Sequence, residues 1–135
     1  MLNIPLHVLL VHFPVALAVI AAVYDLRAHF KNRPELHRTG YALCLWSAAG
    51  AAAALASGLP LLGGLNQASR ATVHAAVGLV SGLALIALAM MRYSAQARES
   101  EDGDASPAPW LILEVLAAVA VLVAAVSGHR LVLGF

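Results

Sequence analysis

The sequence predicts an all-α fold: a four-helix transmembrane bundle with both termini on the extracytoplasmic side. Three observations predict it. Hydrophobic residues make up 61% of the 135 positions and charged residues only 11%, against roughly 25% charged in an ordinary globular domain. Four apolar runs, at about residues 5–26, 40–65, 71–91 and 109–133, are each long enough to cross roughly 30 Å of hydrocarbon as a helix. They are rich in Ala and Leu and lack the polar–apolar alternation of a membrane strand. Finally, the connections differ in charge. Arg27, Lys31, Arg33 and Arg38 fall between the first two runs and Arg92 and Arg98 after the third, whereas the opposite side holds only Arg70 and Arg130. This places the first and third connections in the cytoplasm and the chain in a membrane as one integral domain, residues 1–135.

The first run lacks a preceding Lys or Arg and a small-residue cleavage pattern, so it is expected to stay as a helix rather than leave as a signal peptide. Pro5 suits a first helical turn, and Pro14, inside the run, removes a backbone donor and predicts a kink just after His12. The second run carries Gly50, Ala54 and Gly58 at four-residue intervals, a spacing suited to close helix packing. Ser69 or Thr72 is the expected cap of the third helix. The acidic stretch from Arg98 to Pro109 reads as a solvated loop, with Tyr93 and Trp110 as interfacial anchors on either side. A lone Cys44 excludes an internal disulfide and a multi-cysteine zinc site, and a net charge of +1 argues against nucleic acid as a partner.

Alternation of the helices brings His7, His12, His74 and His129 to the extracytoplasmic end and leaves His29 and His37 in the basic loop. His7 and His12 are five residues apart, which separates them by about 140° on an unbroken helix. One ligand from the first helix and another from the third or fourth is therefore the expected arrangement. In TVHAAVGLVSG, His74, Gly78 and Gly82 share one stripe, a trough in which a flat macrocycle could lie while an imidazole reaches its iron. The competing reading is packing through small residues. Arg70 is a candidate partner for a haem propionate. Two acids stand in or near the membrane at the other end, Asp25 and Glu114, as candidates for proton handling or for pairing with Arg27 or Arg92. Placement at a helix end is the simpler expectation for Asp25. No catalytic triad, nucleotide fingerprint or phosphate loop is present.

The order and spacing of LHVLLVHFPVALAVIAAVYDL, SGLPLLGG, ATVHAAVG and SGHRLVLGF resemble a family of small bacterial integral membrane proteins grouped as domain of unknown function 2231. The matched positions are His7, His12, Pro14, Asp25, His74 and Gly128, and Val8 departs from the pattern by standing where a proline follows the first histidine. The resemblance implies four membrane helices and no established chemistry, and a likeness to redox-associated membrane modules is an analogy that points toward haem.

The function expected from the sequence is binding of b-type haem near the outer face. His12 and His74 are the preferred axial ligands and His7 or His129 the substitutes. Electron transfer would run with a quinone or a redox partner protein, making the chain an electron carrier or subunit rather than a stand-alone enzyme. The alternatives are a structural or assembly subunit packing through Gly and Ala stripes, and a histidine-based carrier or binder of transition metal. Homo-oligomerisation is a further expectation.

Overall fold

A computed structural model describes residues 6–59, 69–102 and 108–133. Every element in it is helical: α1 (Leu6–Lys31), α2 (Pro34–Gly58), α3 (Ser69–Asp102) and α4 (Ala108–Leu133). Each contains a segment long and apolar enough to cross a membrane, so the four-helix membrane architecture read from the sequence stands.

The helix ends differ from the sequence expectation where polar residues continue a helical pattern. α1 runs to Lys31 and α2 begins at Pro34, so the basic connection shrinks to Asn32 and Arg33. Asn32 takes a positive φ of 53°, which Asn tolerates better than most residues. Arg33 precedes a proline and is driven out of the helical region, with φ −115° and ψ 82°. Pro34 then opens α2, where its missing N–H costs nothing. His29 and His37, expected in a loop, thus stand on helices. α3 likewise continues to Asp102, taking up part of the stretch expected to be loop. Residues 103–107 and the second connection, 60–68, lie outside the described residues. Ser69 begins α3 and Thr72 is already within it, while α1 continues through Pro14.

Each helix packs on two neighbours in the closed order α1–α2–α3–α4 and back to α1. The core is built from small side chains, among them Ala18, Ala21, Ala48, Ala51, Ala89 and Ala118, which let helix backbones approach where water cannot drive association. Ser47 at the α1–α2 contact is fully buried and donates a 2.8 Å hydrogen bond to the Pro14 carbonyl. Large apolar residues such as Leu9, Phe13, Ile20, Val80, Ile112 and Val123 point outward, as a lipid-facing surface requires.

Candidate functional site

Polar side chains gather at the two ends of the bundle. At one end, the His7 Nδ1–H of α1 donates to the Ala54 carbonyl at 3.0 Å and to Ser57 Oγ at 3.1 Å, both on α2. Ser57 sends its own hydroxyl proton to the same carbonyl, at 2.8 Å. A carbonyl only accepts, so these partners assign the proton to Nδ1 and leave Nε2 with a free lone pair. The other hairpin repeats the device: His74 Nδ1 of α3 meets the Ala124 carbonyl at 3.1 Å and Ser127 Oγ at 3.0 Å, and Ser127 donates to Ala124 at 2.7 Å. A glycine makes room for each ring. A Cβ on Gly58 would stand 3.0 Å from His7 Cε1, and one on Gly128 would stand 2.6 Å from His74 Cε1. The two imidazoles stand at the same end of the bundle, at the starts of α1 and α3.

About 27 Å away along α1, at a rise of roughly 1.5 Å per residue, lies a buried ionic cluster. Asp25 is 2% exposed, Glu114 3% and Arg92 9%. Arg92 Nη1 donates to Asp25 Oδ2 at 2.6 Å and also to Glu114 Oε2, while His37 Nδ1 donates to Asp25 Oδ1 at 2.9 Å. Gly40 permits the approach, since a Cβ there would collide with Asp25 Oδ1. Arg92 also stands over the Tyr41 ring, 5.7 Å from its centroid. Glu114 Oε1 is buried without a hydrogen-bond partner. A cavity of about 390 Å³ reaches this cluster and is lined in part by Asp25, His29, His37, Arg38, Arg92 and Trp110.

The two ends expose an internal duplication. His7 precedes Asp25 by the same interval that separates His74 from Arg92, and Ala54-x-x-Ser57-Gly58 on α2 matches Ala124-x-x-Ser127-Gly128 on α4. The 70-residue offset between the two Ala-x-x-Ser-Gly copies also pairs Cys44 with Glu114. The hairpins are thus two copies of one unit, equivalent at the histidine end and differentiated at the other, where Asp25 and Arg92 form an ion pair with each other.

Among the expected site residues, His7 and His74 come together and His12 does not join them. His12 lies on the exposed face of α1, where its Nδ1 donates to Val8 O of its own helix at 2.6 Å; the 140° offset from His7 turns it outward. His129 is exposed on α4. Gly78 has nothing within 4 Å of an added Cβ, but Gly82 packs on Leu55, whose Cδ1 would lie 3.0 Å from one, so only Gly78 borders open space. Arg70 belongs to α3, and its side chain lies outside the described residues. Asp25, expected at a helix end, is buried well inside α1, and its partners are Arg92 and His37 rather than Arg27. Trp110 lines the cavity instead of serving only as an anchor. His37, Ser57 and Ser127 are the participants that residue-by-residue reading missed; the repeated Ala-x-x-Ser-Gly was the available signal for the serines.

No curated protein and no solved structure matches the chain. A family model described as predicted membrane protein, DUF2231, matches residues 3–135. A match over nearly the whole chain, on a bundle of four membrane-length helices, settles the kinship: this chain belongs to the DUF2231 family of membrane proteins.

Proposed function

We propose that the protein is a b-type haem carrier of electrons in the bacterial cytoplasmic membrane, with His7 and His74 as the residues that would hold the haem iron. The observation that carries this reading is the paired anchoring of both rings through Nδ1, which holds each imidazole in one tautomer and one orientation and reserves Nε2 for a metal. Histidines that bind metals commonly donate their other ring N–H to a carbonyl or similar acceptor. Bound haem would supply a reversible one-electron couple, and two imidazoles suit its iron. Ser57 and Ser127 keep the rings aligned, Gly58 and Gly128 admit them, and the open space beside Gly78 adjoins the His74 stripe. Arg70, one turn before His74, is the candidate partner for a propionate, and His129 stays a substitute ligand.

The alternative of chelating zinc or copper with side chains alone has less support. Among the described residues no group of three or more His, Cys, Asp or Glu stands together for a metal ion, whereas haem needs only two. The excess of Lys and Arg at the Asp25 end favours that end as cytoplasmic and the histidine end as extracytoplasmic. The electron partner would then be a quinol in the bilayer or a redox protein at the outer face.

The test is the reduced-minus-oxidised visible spectrum of the detergent-purified protein produced with ample haem. The expected result is a sharp haem band that is lost or shifted in His7→Ala and in His74→Ala and retained in His12→Ala. A colourless parent would overturn the reading, and a band sensitive to His12 rather than His7 would reassign the ligand.

A further inference from the structure

We propose that Asp25, Arg92, Glu114 and His37 form a proton-binding site, filled from the cavity side through His37, with Glu114 as its final acceptor. The charge count motivates the site. Two carboxyl groups surround a single guanidinium, so with both acids ionised the cluster would hold an uncompensated negative charge inside the membrane, an expensive arrangement. One proton removes that charge. Arg92 keeps its proton under all ordinary conditions, which leaves the two acids and His37 to carry the exchangeable one. Asp25 has both oxygens engaged, Oδ1 by His37 and Oδ2 by Arg92. Glu114 uses Oε2 on Arg92, and its Oε1 is buried with no partner. Added to Oε1, a proton turns this oxygen into a neutral hydroxyl without breaking any existing hydrogen bond.

Access comes from one side. The 390 Å³ cavity is bordered by Asp25, His37 and Arg92, and the His37 side chain is 27% exposed against 3% for that of Asp25. His37 is therefore the more exposed partner of Asp25 on the cavity wall, and an imidazole can take a proton on one nitrogen and release one from the other. Every element of the bundle faces the cluster with a titratable or charged group: Asp25 and His29 from α1, His37, Arg38, Tyr41 and Cys44 from α2, Arg92 from α3 and Glu114 from α4, with Arg33 from the α1–α2 connection. Only Asp25 and Glu114 among them are acids, and they share one proton as a coupled pair. The site stands on the geometry of this end alone, independently of the haem assignment at the other.

The experiment is infrared difference spectroscopy of the full chain in lipid nanodiscs, with ¹³C-glutamate labelling, titrated through neutral pH and exchanged into D₂O. The expected result is a carbonyl stretch of a protonated carboxylic acid that shifts down with the label and in D₂O and is lost in Glu114→Gln. Replacement of His37 by Gln should slow its exchange. Absence of such a band from the labelled parent near neutral pH would overturn the site, and this reading does not depend on any variant folding. A band that persists in Glu114→Gln, or that fails to shift with the glutamate label, would equally overturn Glu114 as the acceptor, and exchange unchanged in His37→Gln would overturn the route.

Discussion

Gly128 decides whether the His74 ring can lie where it does. With a methyl group 2.6 Å from Cε1, the imidazole must rotate away and lose its bonds to Ala124 and Ser127, because the obstacle is its own ring rather than the tip of a flexible chain. Gly78, four residues from His74 on the same stripe, faces open space. Gly128→Ala is therefore expected to disturb the histidine site and Gly78→Ala to leave the fold intact. On the haem reading, the visible band of Gly128→Ala should resemble that of His74→Ala. Equal thermal stability of parent and Gly78→Ala, measured in detergent, checks the second half. The same logic applies to Gly40, whose missing side chain lets Asp25 settle against α2.

At the scale of elements, Arg92 ties α3 to α1 through Asp25 and to α4 through Glu114. Removing it leaves two carboxyl groups facing each other in a buried site. Arg92→Met should destabilise the bundle by about 3–5 kcal/mol, the usual cost of breaking one side of a buried ion pair. Replacing all three partners together with apolar residues of similar size, as in Asp25→Leu, Arg92→Met and Glu114→Leu, should recover most of that loss, since no unpaired buried charge then remains. Thermal unfolding of the two variants beside the parent tests this. Recovery in the triple variant would indicate that the cluster is retained for chemistry more than for stability. The helix boundaries matter here too: because α2 starts at Pro34 rather than several residues later, His37 is held on its first turns and aimed at Asp25.

The molecule as a whole is two similar hairpins closed into a ring, with His7 and His74 at one end and the ion cluster at the other. The charge asymmetry of the connections gives an expected orientation with the α1–α2 connection in the cytoplasm. Arg27, Lys31, Arg33 and Arg38 flank the short α1–α2 connection, so a single cysteine placed at Asn32 in a Cys44→Ala background should react with a membrane-impermeant maleimide in inverted vesicles and stay unmodified in intact spheroplasts. The reverse pattern would invert the bundle and move the histidines to the cytoplasmic side. Asn32 is suited to the test because it is exposed, with a left-handed backbone outside any helix.

The number of helices, their membrane-spanning character and the residues capable of chemistry were legible in the sequence, because length and apolar composition are properties of each run by itself. Asp25, Glu114, His7 and His74 stood out because ionisable groups are rare in such runs. Two things needed the tertiary structure. One was which histidines meet: the angular offset between His7 and His12 shows that they diverge, but which of them turns inward depends on how α1 is rotated against α2, and that is set by the packing of small residues such as Ala18, Ala21 and Ala48. The other was the ion cluster, whose members come from four helices. Asp25 and Arg92 are 67 residues apart, about half of the chain, and only the side-by-side placement of two like hairpins turns an isolated acid and an isolated base into one buried pair.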